Sequence, residues 1–217
     1  MQAPPEYAPP KAPIDVVFQD ESLIVVNKPA GLLSVPGKSV HMADCMASRL
    51  RSAFRDTHLV HRLDMDTSGL MVFARKKSVQ RDLNAQFENR TVRKTYIALV
   101  SGLVSEDTGT VDLPLSVDWP NRPLQKVDDA GKPSCTQWTV RVRDENYTRI
   151  ELRPETGRTH QLRVHMHAIG HPILGDRFYA DGPTLAAYHR LCLHAEKLAF
   201  CHPIQDRFVT FESKADF

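Results

Sequence analysis

Short stretches in which apolar and polar side chains alternate recur along this chain, separated by only a few Gly, Pro, Asn, Asp or Ser residues. They include VRKTYIALV (92–100), GTVDLPL (109–115), TQWTVRVRD (136–144), YTRIELRP (147–154), CLHAEKLAF (192–200) and RFVTFES (207–213). A two-residue period places one set of side chains on each face of a strand. Earlier in the chain, IDVVFQDESLIVVNKPAG (14–31) reads as two strands around the polar turn Gln19–Ser22, and LMVFAR (70–75) reads as a buried strand. Strands so outnumber helices, and their connections are so short, that the fold class expected is α+β: a mixed, mainly antiparallel β-sheet core with a few packed helices.

Three segments follow a helical period instead. Met42, Cys45, Met46, Leu50 and Phe54 recur near every third or fourth residue in HMADCMASRLRSAF. Val79, Leu83 and Phe87 form a stripe behind Ser78, which is placed to cap the helix. A further helix is expected over THQLRVHMHAI (159–169), stopped by Gly170 and Pro172. The opening thirteen residues hold five prolines and almost no large apolar side chains, so a disordered tail is expected over 1–13, ahead of a single domain over 14–217.

A chain of 217 residues with 41% hydrophobic residues can bury a proper core. No run of about 18 apolar residues occurs, and the first residues lack the basic-then-apolar order of a secretory signal. The expectation is a cytoplasmic protein. Cys45, Cys135, Cys192 and Cys201 are widely spaced with no CxxC pair, which argues against a disulfide framework and a thiolate zinc site. A net charge of +2 does not mark a nucleic-acid binder, but ten Lys or Arg stand against five acids between Arg51 and Lys94.

That stretch contains VHRLDMDTSGL (60–70). In an extended segment Arg62 and Asp64 project from one face, while Leu63 and Met65 project from the other and can anchor it. A guanidinium beside a carboxylate favours the charged form, which suits a nucleophile or a general base. Thr67, Ser68 and Gly69 can fix the turn that follows. The plainer reading is that Asp64 or Asp66 only caps that turn. In PETGRTHQLRVHMHAIGHP (154–172), Arg158, His160, Arg163 and His165 crowd the start of the expected helix. Such a cluster can bind phosphate or pair with a carboxylate such as Asp64, and the alternative for Arg163 is a purely structural ion pair. His160, His165, His167 and His171 suggest zinc, yet no HExxH or CxxC supports it. The nucleotide motifs GxxxxGK[ST] and GxGxxG and the hydrolase motif GxSxG are also missing. Tyr96 is a lone strand aromatic next to Arg93 and Lys94, open either to core packing or to stacking on a base.

Taken together, HRLD-x-x-TSG, TGRTHQLRVH, VVNKPAGLLSVPG and RKTYIA, in their places along the chain, closely resemble the RluA-type pseudouridine synthases, from about Ile14 to Phe217. The chain is most similar to the dual-specificity branch of that family, which acts on large-subunit ribosomal RNA and tRNA: it is short, has no S4-type RNA-binding segment, and carries DWPNRPLQKV and HPILGDRFYA. The resemblance implies a pseudouridine synthase fold and an isomerase that rearranges the glycosidic bond of an everted uridine, with no cofactor and no metal. It implies that Asp64 is the essential aspartate, Tyr96 the tyrosine that stacks on the uracil, and Arg163 the basic partner of the aspartate. Arg62 would fill the stack as the base leaves, His61, Arg158 and His160 would contact RNA, and Leu174 would close the pocket. Partners implied are stem-loops of rRNA and tRNA, with no membrane, and the protein is expected to be a monomer. The competing reading is an RNA-binding or assembly factor with a vestigial site; a metal-dependent nuclease is a third.

Overall fold

The computed structural model describes residues 7–217. β1 (Asp15–Gln19) and β2 (Leu23–Lys28) pair antiparallel, as expected. Asp20 closes their turn: its carboxylate accepts from the backbone N–H groups of Ser22 and Leu23 at 2.7 and 2.9 Å. Then follow α1 (Met46–Ala53), β3 (His58–Leu59), β4 (Ser68–Ala74), α2 (Lys77–Glu88) and β5 (Arg93–Ser101). β6 (Thr108–Asp112), β7 (Leu115–Val117), β8 (Gln125–Val127), β9 (Cys135–Arg143) and β10 (Tyr147–Pro154) lead to α3 (Gln161–Ala168). The chain ends with α4 (Gly182–Ala186), β11 (Leu193–Cys201) and β12 (Phe208–Glu212).

Ten strands form one sheet with the main order β1-β2-β4-β11-β5-β10-β9-β6; β3 adds to β4, β12 adds to β11, and β7–β8 is a separate hairpin. Among the described strands the parallel pairing is β4 with β11, and the other pairs run antiparallel. β2 and β4 are buried on both faces because α1 covers one face and α2 the other. Ile24, Val26, Met71 and Phe73 join α1 residues Met46 and Leu50 in one core; Leu23, Val25, Leu70 and Val72 join α2 residues Val79 and Leu83 in another. A third core lies under the other half of the sheet, where Leu162 and Met166 of α3 meet Val100, Ile150 and Leu152.

Three local expectations are corrected. Lys76, not Ser78, occupies the position before α2, and Ser78 is already inside the helix. The disordered tail expected over 1–13 lies partly outside the described residues, at 1–6. Residues 7–13 are tied to the body instead. The Tyr7 hydroxyl donates to the Asp44 carbonyl at 2.8 Å and accepts from the Leu33 N–H at 3.1 Å, and Arg49 donates to the carbonyls of Pro10 and Ala12. Long-range partners such as these cannot be read from the low hydrophobicity of the segment itself. The strand expected over 109–115 ends at Asp112, and β3, β7, β8 and α4 are not expected as separate elements; each is too short to show a period.

Candidate active site

His61 to Asp64 runs between β3 and β4 outside any strand. Leu63 is buried in the α1-side core, and Ser34 holds its backbone twice: the Leu63 N–H donates to Ser34 Oγ at 3.1 Å, and that hydroxyl donates to the Leu63 carbonyl at 2.6 Å. The Met65 carbonyl accepts from the Gly31 N–H at 2.9 Å and from Lys28 Nζ at 3.0 Å. Lys28 is fully buried, and its ammonium also donates to the carbonyls of Pro29 and Leu32 at 2.8 Å each. Burial pushes Lys28 down to about 7, against the pull of Asp66 and Asp64. Both neighbours of Asp64 are thus fixed by the loop 28–34, and the Asp64 carbonyl accepts from the Thr67 N–H at 3.2 Å to close the turn. Arg62, which is exposed, and Asp64, which is half-buried, are left free to face a cavity while Leu63 anchors them, as the alternation of the segment predicts.

The parallel pairing places that turn beside Tyr96. Gly69 lies opposite Ala195 of β11, and Ala195 lies opposite Tyr96 of β5. Gly69 has φ +115°, and a Cβ there would sit 2.4 Å from the Ala195 carbonyl oxygen, so only glycine permits the approach. Tyr96 is raised well above the usual phenol range by burial and then by the charge of Asp64, so it is a phenol at neutral pH. The Thr67 hydroxyl is buried without a hydrogen-bond partner among the described residues and lines the same cavity.

Arg163 comes from α3 and is 1% exposed; its guanidinium lies 3.8 Å from Asp64. This is not its tightest partner. Nε and Nη2 form a bidentate pair with the buried carboxylate of Asp176 at 2.8 and 2.6 Å. Asp176 also accepts from the N–H groups of Phe178 and Tyr179, at 2.9 and 3.3 Å. The expected pairing of Arg163 with Asp64 is therefore the looser half of an Asp64–Arg163–Asp176 chain. Asp176 is not among the residues the sequence motifs single out; its one signal is its place in HPILGDRFYA, the segment that also carries Tyr179. Asp66, the other acid of the motif, pairs with Arg177 at 3.0 Å.

Around these groups lies a cavity of about 100 Å³, lined by Asp64, Thr67, Lys94, Tyr96, His160 and Arg163 among others. It adjoins a groove of about 750 Å³ that shares Arg62, Asp64, Lys94, Tyr96 and Arg158. Of the basic stretch 51–94, Arg62 and Lys94 reach these cavities. Arg75 instead donates to the Asp20 carbonyl, and Arg93 lies over the Phe208 ring. Burial, then the charge of Arg90, lowers Lys94 to about 8. In the sequence Lys94 is marked only as a basic neighbour of Tyr96 and the end of the basic stretch.

His160 begins α3 with φ 54°; its Nδ1 is 2.7 Å from the Tyr179 hydroxyl, and its ring stacks on Phe178. That hydroxyl also accepts from the Gln125 N–H at 2.9 Å, and it keeps both its own proton and a second lone pair for the bond to His160 Nδ1. Burial lowers the pKa of His160, consistent with a neutral ring. His61 lines the groove but is packed on Phe87, and its Nε2 accepts from the Val72 N–H at 3.1 Å. Burial, then Lys94, lowers it to about 3, so it contributes no charge. Leu174 is a correction. Its N–H donates to the Leu99 carbonyl and its carbonyl accepts from the Cys192 N–H, which holds it in the core rather than in the cavity lining. Leu63, Leu162 and Leu193 supply the apolar wall. His165 and His171, part of the zinc suggestion, are engaged separately with Thr136 and with the Ser101 carbonyl. Among the described residues no group of three His, Cys, Asp or Glu is placed to hold a metal ion.

A half-buried carboxylate, a phenol and a buried guanidinium thus face one small cavity with cations at its rim. Such a site can hold a flat ring and carry a nucleophile to it. The profile of the family described as RNA pseudouridylate synthase matches residues 22–168, more than half of the chain. This chain belongs to that family. It is an isomerase that converts uridine in RNA to pseudouridine. It is 48% identical over 215 residues to the dual-specificity RNA pseudouridine synthase RluA of Haemophilus influenzae, covering 98% of each chain. To the protein of the same name from Escherichia coli K12 it is 49% identical over 214 residues, 97% of this chain and 98% of that one. Among solved structures it resembles human RNA pseudouridylate synthase domain containing 1, with a TM-score of 0.78 and 26% identity, covering all of this chain and 87% of that one. Human RNA pseudouridylate synthase domain containing 4 gives a TM-score of 0.74 and 28% identity, with 92% and 88% covered.

Proposed function

We propose that this chain acts on two kinds of RNA, a uridine in large-subunit ribosomal RNA and one in the anticodon stem-loop of tRNA, as a cytoplasmic monomer that needs no metal or cofactor, with residues 14–217 as its catalytic domain. The observation that carries the active-site reading is Asp64, clamped on both sides, facing a cavity it shares with Tyr96 and Arg163. The dual-specificity name of relatives about half identical over almost their full length supports the choice of substrates. No helix among the described residues is long and apolar enough to cross a membrane, which agrees with a cytoplasmic setting.

In the reaction the N1–C1′ bond of uridine breaks, the uracil turns, C5 bonds to C1′, and the C5 proton leaves while N1 gains one. Asp64 supplies the carboxylate that starts this, by attack at C1′, by addition at C6, or by removal of the 2′ proton. Arg163, held by Asp176, stabilises the charge on Asp64. Tyr96 stacks on the uracil and, as a phenol, relays the C5 proton to water. Extruding a stacked uridine costs a few kcal/mol, which Arg62 offsets by entering the vacancy. His61 acts through packing, and Arg158 and His160 line the cavity where the nucleotide enters.

Incubating the protein with tRNA and ribosomal RNA tritiated at C5 should release tritium. Asp64→Asn should bind both RNAs with near wild-type affinity and release none. Folded wild-type protein that releases no tritium from either RNA would favour the binding-factor reading, and turnover in Asp64→Asn would shift suspicion to Asp66.

A further inference from the structure

The loop between β7 and β8 exposes an aromatic side chain that the reaction at Asp64 leaves unused. Trp119 is 68% exposed, whereas the second tryptophan, Trp138, is 9% exposed and sits in the core. The Arg122 guanidinium lies 3.3 Å from the centroid of the Trp119 ring, so the two planar groups are already arranged to stack. This is not a loose loop. The Asp118 N–H donates to the Leu124 carbonyl at 3.0 Å, the Asn121 N–H donates to the Asp118 carbonyl at 3.1 Å, and the Asn121 amide donates to the Asp118 carboxylate at 2.9 Å.

The loop is also joined to the active site. Beyond it, the Gln125 N–H donates to the Tyr179 hydroxyl, which bonds His160 in the Asp64 cavity. Pro123 lines the groove that contains Asp64, Arg62 and Tyr96. Trp119 lines a second groove of about 460 Å³ together with Lys132 and Arg158. Gly157 and Arg158 belong to both grooves and to the central cavity, so the three form one path. Among the described residues neither Lys132 nor Arg158 has a carboxylate within 4.0 Å, while Lys126 is paired with Asp128. Asp118, the acid beside Trp119, is occupied by Asn121. An exposed indole that shares a groove with Lys132, and with an Arg158 whose Nε donates only to the Pro133 carbonyl at 3.3 Å, suits a strand of nucleic acid, which offers flat bases and phosphates together.

We propose that Trp119 and Arg122 form a stacking platform for an unpaired nucleobase of the same RNA whose uridine enters the Asp64 cavity, with Lys132 and Arg158 holding the phosphates between them. This rests on the RNA-modifying function proposed above. The platform would select loops that can present a second free base, in addition to the target uridine.

Indole fluorescence tests it, because Trp138 is shielded. A synthetic RNA hairpin that the wild-type enzyme modifies should quench the emission of the full chain, and Trp119→Phe should lose that quench while retaining affinity, since phenylalanine also stacks. Trp119→Ala should raise Kd roughly tenfold, the equivalent of about 1.4 kcal/mol and within the range for one stacked base, with the single-turnover rate at saturating RNA unchanged. Hairpins made abasic at each unpaired position in turn should contain one position that weakens wild-type binding by a similar factor and adds nothing further in Trp119→Ala. Absence of quenching, wild-type affinity in Trp119→Ala, or losses that simply add at every abasic position would overturn the platform. Tritium release by the wild type is read separately: release without quenching sinks the platform alone, and absence of release from every RNA sinks the isomerase reading on which it rests.

Discussion

Burial lowers Lys94 from the ordinary lysine value of 10.5 to about 8, so the cavity loses a positive charge within the range where such an enzyme is assayed. Below about pH 8 the ammonium is present beside Tyr96 and Asp64, and above it the amine is neutral. RNA affinity should therefore fall between about pH 7 and pH 9. Stability moves the other way. Between the folded value near 8 and the unfolded value near 10.5 the unfolded chain binds the extra proton, so Lys94 makes folding more favourable as pH rises there. Dissociation constants measured by anisotropy at fixed ionic strength check the first claim. Lys94→Arg, which stays charged, should flatten the profile, and an equal fall in that variant would remove Lys94 as the cause. The residue scale also separates what a motif shows from what it hides. Arg62, Asp64 and Tyr96 stand where their sequence neighbourhood suggests. The pairing of Asp176 with Arg163 becomes visible only when α3 packs, because the partner of a buried guanidinium is set by distance and not by chain order.

At the scale of elements, the parallel contact of β4 with β11 brings the turn that follows Asp64 beside the strand that carries Tyr96. Gly69 makes that contact possible, and two glycine variants separate its causes. Gly69→Ala must accept both a positive φ and a Cβ against the Ala195 backbone, and should lose about 2–4 kcal/mol of stability. Gly170→Ala also has a positive φ, +83°, but meets nothing within 4 Å, and should lose only about 1 kcal/mol. Urea midpoints compare the two, and equal losses would mean that the close approach to β11 carries no cost. The strands and long helices were readable because their periods repeat over many residues. β3, β8 and the pairing order were not, since two or three residues carry no period and a strand does not name its neighbour.

For the whole molecule, a formal charge of +2 conceals an uneven distribution, with Arg62, Lys94 and Arg158 converging on one connected groove. Stem-loop structure in the RNA then adds a cost that Arg62 is placed to offset. Arg62→Ala should slow modification of a structured hairpin more than that of an unstructured oligonucleotide carrying the same uridine. Single-turnover rates on the two RNAs decide it, and equal slowing would remove the stack-filling role. The sequence by itself determined the longer strands, the three longer helices and the chemical types gathered at the site, because local period, turn residues and motif order are properties of neighbours along the chain. Only the tertiary structure decided that Ser34 and Lys28 clamp the turn around Asp64, that Asp176 shares Arg163, and that Leu174 is core. Those outcomes depend on groups far apart in sequence competing for the same buried donors, acceptors and space.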